Sequence, residues 1–256
     1  MDPTYGSASY PCVIEDSESD PDPDLNKSGS EPDFYEPESN PDSDNSDTNL
    51  DPSDAEDIDL DLPSSLSSLL AHLVIKCIND LADRAKHPLY AHVLSGNMLV
   101  RDLLDTTHLT FGPGLLGALQ GDTPPTCHFF ETLPSDFEKR WAVYVNVLRK
   151  DGHKPLVYIG SGTNATAGVS IRLTQYRTNV QLPQHVTKAK ADGFKVVHQG
   201  LLCWMPIPTA ADVPVTRLLM VALEGVFTFH FWSLKCNTKY AYGVAEMCPW
   251  PKDGLP

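Results

Sequence analysis

The stretch that decides the fold is residues 141–176, WAVYVNVLRKDGHKPLVYIGSGTNATAGVSIRLTQY. In its first part, valines at every second position alternate with Tyr144 and Asn146, which is the period of a half-buried strand. Asp151-Gly152 then supplies a turn, because glycine takes a positive φ at no steric cost. Residues 156–159 form a returning apolar strand, and a glycine-rich loop and a helix start follow it. The stretch therefore predicts a β-hairpin that leads into a helix.

The sequence around this hairpin predicts an α/β domain. Residues 167–177 have a helix-compatible composition, and residues 189–193 have the composition of a turn. Residues 194–205 form a third apolar strand, and an apolar helix over 217–227 follows Pro214, which stands where helix starts tolerate proline. The order strand–strand–helix–strand–helix predicts a small three-stranded antiparallel sheet flanked by helices.

A helical segment precedes the hairpin. Apolar residues recur at helical spacing over 66–81, and we expect this helix to end near Lys86, ahead of a proline. Residues 94–104 form a second, shorter helical candidate. The pattern predicts a helical extension over 63–135 that packs on a domain over 136–256.

The charge of the chain is strongly segregated. Residues 1–62 hold 20 acidic side chains against one lysine, a net charge of −19, whereas residues 141–256 hold 12 basic and six acidic side chains, a net charge of +6. A segment so acidic and so poor in apolar residues is predicted to be a disordered arm. It is either a solubilising spacer or an intramolecular competitor that contacts the basic domain when nucleic acid is absent.

The remaining composition limits the class of protein. No run of about 18 apolar residues indicates a membrane helix, and the first 30 residues lack the pattern of a secretory signal. The six cysteines are scattered without a C-x-x-C pair, which indicates neither a zinc site nor a disulfide framework. We expect an intracellular protein of the nucleus or cytoplasm that has no membrane partner.

Two charged residues stand out as candidates for chemistry. Glu224 follows six consecutive apolar residues in its helix, and an unpaired buried carboxylate costs several kcal/mol. It is therefore either turned into a cleft with a cation or placed on a solvated stripe with Arg217, seven residues earlier. Arg172 has the same ambiguity, because a lone arginine on a short helix is typically a surface residue.

The hairpin carries a paired tyrosine motif. Ala142-Val143-Tyr144 is followed, 13 residues later, by Tyr158-Ile159-Gly160, and Arg172 lies 12 positions after Gly160. This pattern resembles that of the GIY-YIG nuclease superfamily, with Ala142 in the place of the first motif glycine. Arg172 stands where that family carries its arginine.

The resemblance extends over about residues 140–245. Tyr176 stands where relatives carry histidine or tyrosine, and Glu224 lies in a later helix where the family places its metal-binding glutamate. Asn237 matches an asparagine often found near the end of the family's domain.

The resemblance implies a metal-dependent endonuclease acting on DNA. In the family a tyrosine acts as, or positions, the general base, a role that falls here to Tyr144 or Tyr158. Arg172 would stabilise phosphate charge, Glu224 would hold one Mg²⁺ or Mn²⁺, and Gly160 would let the backbone approach the site. The alternative is a catalytically inactive module of the same fold that binds nucleic acid or protein.

Overall fold

The computed structural model describes residues 65–81, 89–94, 96–136, 138–233 and 245–251. The predicted acidic arm and Asn237 lie outside the described residues. Eight α-helices are described: α1 (Leu66–Asp80), α2 (Tyr90–Val93), α3 (Asn97–Thr106), α4 (Leu115–Gln120), α5 (Cys127–Glu131), α6 (Ser170–Thr178), α7 (Gln184–Ala191) and α8 (Val213–His230). A short 3₁₀ helix at Ala245–Met247 follows them.

Four strands form one antiparallel sheet in the order β1-β4-β2-β3. They are β1 (Thr110–Phe111), β2 (Arg140–Arg149), β3 (Leu156–Gly162) and β4 (Lys195–Pro206). The prediction of an α/β fold with an antiparallel sheet is confirmed, but the predicted number of three strands is wrong. The additional strand β1 has two residues, which is too short to show an alternating pattern, and its pairing with β4 is a tertiary contact.

The hairpin forms because its residues alternate between two apolar layers. On one face of the sheet, Val143, Val145 and Val147 join a core built with α1, α3, α4, α5 and α8. On the other face, Tyr144 and Leu148 pack with residues of α6 and α7. The sheet is therefore covered by helices on both faces, and β3 is one of its two edge strands.

Three helices differ from their expectations. Helix α1 ends at Asp80 and not near Lys86. The turn predicted at 189–193 is wrong for its first three residues, which belong to α7; that helix buries only Val186 and Ala189, so its sequence gives a weak helical signal. Helix α8 is longer than predicted, at 18 residues, and has the length and composition of a membrane-spanning helix. More than half of α8 is buried inside the protein, and it serves as the central helix of the larger core.

Candidate active site

Two tyrosines of the hairpin share one face of the sheet. Tyr144 lies opposite Gly160 in the β2–β3 register, and Asn146 lies opposite Tyr158. Because successive residues of a strand point to opposite faces, both tyrosines point toward α6 and α7. Tyr144 is fully buried on the central strand, whereas Tyr158 on the edge strand is half-buried. The edge tyrosine is thus the one of the two that solvent reaches.

Gly160 makes room for the hydroxyls of these tyrosines. A Cβ atom at this position would lie 2.6 Å from the Tyr144 hydroxyl oxygen and 2.9 Å from that of Tyr158. Real Cβ atoms essentially never make contacts under 3.0 Å, so any side chain here would displace the phenols. The motif glycine is required by close packing of side chains against the backbone of β3.

A third tyrosine comes from α6. The hydroxyl oxygens of Tyr176 and Tyr144 are 3.0 Å apart and hydrogen bonded, and either can be the donor. The ring centroids of Tyr144 and Tyr158 are 6.3 Å apart, and that of Tyr176 lies 5.9 Å from each. We call these three residues the tyrosine cluster.

Arg172 is the third residue of α6, and the loop before α6 fixes its position. Gly162 and Gly168 enclose this loop: a Cβ atom on Gly162 would lie 2.6 Å from the Cα of Val169, and one on Gly168 would collide with the Arg140 carbonyl. Gly168 has a φ of 59°, which glycine adopts without strain. The start of α6 is thereby held tightly against the end of β3.

Side chains of the loop and of α8 add further ties. The Asn164 side chain accepts hydrogen bonds from the backbone N–H groups of Thr166 and Ala167. The backbone carbonyl of Asn164 accepts a hydrogen bond from the Trp141 indole at 3.0 Å. Arg217 of α8 lies 5.6 Å above the Trp141 ring and donates from Nη2 to the Thr163 carbonyl at 3.4 Å. Arg217 therefore braces the loop and does not form a solvated stripe.

Glu224 approaches from the other face of the sheet. Ser161 follows Gly160 and so points toward α8, where its hydroxyl and its backbone N–H donate to the Glu224 carboxylate. The Oε2 atom of Glu224 is shielded from solvent and has no hydrogen-bond partner, although the residue as a whole is partly exposed. Burial raises the pKa of this carboxyl, and the Ser161 hydrogen bonds and the charge of Arg172 oppose that rise.

The acid, the arginine and the tyrosines lie within electrostatic range of one another. The charge of Glu224 raises the pKa of Tyr158 and Tyr144, and the charge of Arg172 lowers both. Arg172 also donates from Nη1 to Gln175 at 3.2 Å. Five sequence-predicted site residues therefore interact electrostatically around β2 and β3, with the tyrosines on one face of the sheet and the carboxylate on the other.

The phenols of the tyrosine cluster are protonated at neutral pH. Burial raises the pKa of Tyr144 and Tyr176 well above the ordinary range of tyrosine. It raises the pKa of Tyr158 to about 12, with the charge of Glu224 as the second cause, against hydrogen bonds from Tyr176 and Tyr144. At that pKa only about one Tyr158 hydroxyl in 10⁵ is ionised at pH 7. A base at this position needs a further positive charge nearby.

The site offers one carboxylate, that of Glu224, as a possible ligand for a metal ion. Among the described residues no group of three or more His, Cys, Asp and Glu side chains forms a metal cluster. A single carboxylate nevertheless suits Mg²⁺, which keeps several waters and is often held by one or two carboxylates together with phosphate oxygens. The partnerless Oε2 atom of Glu224 is the ligand available here.

Three of the residues that build this site were not identified from the sequence. Ser161 looked only like the end of a strand, yet it holds the Glu224 carboxylate. Gly162 and Gly168 carried a visible signal, because two glycines flank a five-residue loop directly before the helix that bears Arg172. Asn237 lies outside the described residues and stays a prediction.

No comparison with known proteins bears on the geometry of this site. Comparisons of the chain with protein-family models, with curated proteins and with solved structures found no match.

Proposed function

We propose that this chain is a metal-dependent endonuclease of the GIY-YIG type that hydrolyses phosphodiester bonds in DNA. The observation that supports it is the electrostatic interaction of Tyr158 and Arg172 with the carboxylate of Glu224, which reaches β3 from the other face of the sheet. A general base near a water, a cation for phosphate charge and an acid for a metal are the groups that such hydrolysis needs.

The roles follow from accessibility. Tyr158 is the partly exposed phenol and faces the substrate. Once ionised, its oxygen orients the attacking water and accepts a proton from it as the water oxygen bonds to phosphorus. The bond from phosphorus to the leaving sugar oxygen breaks in the same displacement, and that oxygen takes up a proton from solvent. Tyr144 and Tyr176 are buried and hold the Tyr158 hydroxyl in place. Arg172 offers a fixed positive charge to the phosphate.

Nearby positive charge is needed to lower the pKa of Tyr158 enough for it to act as a base. The Tyr158 phenol has a pKa of about 12 in the protein alone, which is too high for an efficient base at neutral pH. Arg172 already lowers it. Glu224 would hold a Mg²⁺ or Mn²⁺ ion, which would supply positive charge to the phosphate and offset the carboxylate charge that raises the pKa of Tyr158.

The proposal is tested by plasmid cleavage in Mg²⁺ or Mn²⁺ with the full-length protein. Wild type is expected to nick or linearise the plasmid, and Arg172→Ala and Glu224→Gln are expected to lower the rate by at least about 10², the size of one lost transition-state interaction. Tyr158→Phe is expected to lower it by about 10² to 10⁴, the usual worth of a general base.

Matched controls come from α3. Arg101→Ala and Asp102→Ala remove an exposed cation and an exposed acid of the same protein far from the site in sequence, and both are expected to cleave like wild type. The enzyme proposal fails if wild type leaves the plasmid intact under all metal conditions. It fails equally if Arg172→Ala and Glu224→Gln cleave as fast as the two controls.

One observation favours the alternative of a catalytically inactive binding module. All three phenols of the tyrosine cluster have raised pKa values, and burial also raises the pKa of Glu224. Neutral phenols and a buried carboxyl can be part of a stable fold that catalyses no reaction. Duplex binding by wild type without cleavage in any divalent metal would select this second function.

A further inference from the structure

A groove free of acidic side chains lies on the α6–α7 side of the sheet. It has a volume of about 1150 Å³ and is open to solvent, and its wall includes Tyr176 of the tyrosine cluster. Arg177, Lys190 and Lys195 line it together with His198, and none of the described residues that line it is Asp or Glu. The cations of this lining belong to residues 141–256, the part of the chain with a net charge of +6.

Helix α7 connects this groove with the site. Its first part lies beside the edge strand, because the rings of His185 and Tyr158 are 4.7 Å apart. Its later residues, including Lys190, line the groove. Between positions 170 and 195 the chain carries five basic residues and a single acid, Asp192. This part of the chain therefore carries a net positive charge.

The dimensions of α7 match the spacing of phosphates. Eight helical residues span about 12 Å at 1.5 Å per residue. One strand of a B-form duplex places a phosphate about every 3.4 Å along its axis, so that about three or four phosphates cover this distance. A nucleic-acid backbone lying on α7 would reach both the groove and Tyr158.

We propose that this groove binds the duplex DNA backbone on one side of the bond to be cleaved, an inference that rests on the proposed function. Arg177 and Lys195 are exposed and supply the phosphate contacts. Lys190 plays a different part, because its ammonium group donates to the Tyr176 carbonyl at 2.7 Å and to Asn179 at 2.5 Å. It positions the wall of the groove.

The test measures binding of the full-length protein to a labelled 20-bp DNA duplex by fluorescence anisotropy, with EDTA present so that no cleavage occurs. The double variant Arg177→Gln/Lys195→Gln removes two cations. At about 0.1 M salt its affinity is expected to fall by about 60-fold, and the slope of log K against log salt by about 1.8, since each phosphate contact contributes about 0.9. Arg101→Gln, an exposed cation on α3, is the matched control.

A loss of tenfold or more with a reduced salt slope supports the groove, and a smaller loss overturns it. Loss of binding to a 20-bp RNA duplex with unchanged binding to DNA overturns the assignment to DNA. The two proposals fail separately. Normal DNA affinity of the double variant, together with an inactive Arg172→Ala, removes the groove and keeps the enzyme, whereas weakened binding without any wild-type cleavage does the reverse.

Discussion

At Gly160 the absence of a side chain decides the geometry of the site. The hydroxyls of Tyr144 and Tyr158 occupy the space in which a Cβ atom would lie. Both phenols belong to strands. The backbones of β2 and β3 are fixed by their pairing with each other at residues before and after Gly160. The strain of an added methyl group would therefore be taken up mainly by the phenols.

Gly160→Ala is expected to destabilise the protein by about 1–3 kcal/mol, as overpacking of a well-filled core does. It is also expected to lower cleavage, since Tyr158 is displaced. Urea unfolding monitored by circular dichroism measures the first effect. Gly117→Ala is the matched control, because a Cβ atom there meets nothing within 4 Å, and alanine in a helix stabilises by up to about 1 kcal/mol. Equal stability of Gly160→Ala and wild type would contradict the packing argument.

The residues of the site differ in how far the sequence could indicate them. Tyr144, Tyr158 and Arg172 lie within one local stretch, so that their spacing alone makes them candidates. The placement of Glu224 depends on how α8 crosses the sheet, and a sequence pattern does not fix that crossing. Ser161 could not be assigned for the same reason, since its role exists only once α8 lies against β3.

Among the elements, α6 and α7 share an apolar cluster and are also joined by polar contacts of Lys190. Helix α6 ends at Asn179 in the left-handed conformation with a φ of 59°. Lys190 of α7 donates to the Asn179 side chain and to the Tyr176 carbonyl in the last turn of α6. A cation at the carboxyl end of a helix is also favoured by the helix dipole. Lys190 thus couples the helix that bears Arg172 to the helix that lines the groove.

Lys190→Met is expected to destabilise the protein by about 1 kcal/mol. Hydrogen bonds to a charged group are worth about 1.5–3 kcal/mol, and partial exposure of this ammonium group reduces that value. Lys188→Met, an exposed position on the same helix, is expected to change stability by less than about 0.5 kcal/mol. Urea midpoints measure both variants, and amide exchange in the last turn of α6 reports the local effect. Indistinguishable midpoints would show that the coupling of the two helices lies elsewhere.

The elements also show where prediction from sequence stops. The valine alternation of β2 and the long apolar run of α8 extend over many residues, so a sequence shows them directly, although β2 is buried on both faces and not half-buried as predicted. Helix α7 buries two side chains only, and β1 has two residues, so neither repeats a pattern long enough to be recognised. Both are stabilised by contacts with distant parts of the chain.

On the scale of the whole molecule, the larger core contains a histidine where α8 meets the last described segment. His230 packs against Trp250 and Phe231, with ring centroids 5.0 Å and 5.5 Å away. Both of its ring nitrogens are buried and lack a well-aligned hydrogen bond. Burial lowers the pKa of His230 to about 4, and the backbones of Leu119 and Met247 offset only part of that effect.

This histidine makes the folded state sensitive to acid. The unfolded chain takes up a proton on this ring near pH 6.5 and the folded protein only near pH 4, so stability is full above pH 6.5 and is lost as the pH falls through this window. Between pH 7.5 and pH 5.5 the loss from His230 is about 1.4 kcal/mol. His230→Phe removes the proton-binding group and keeps an aromatic ring in the core. The variant is therefore expected to lose about 1.4 kcal/mol less than wild type over this range in urea unfolding.

His72→Phe is the control for that measurement, because His72 is exposed on α1 and is expected to follow the wild-type pH dependence. A second measurement does not depend on the folding of a variant. The ring protons of His230 in wild type, followed by NMR, should stay unshifted down to about pH 5 and change near pH 4. A titration near pH 6.5 would mean that solvent reaches this ring in the folded protein. The contact of α8 with the segment around Trp250 would then open by local unfolding.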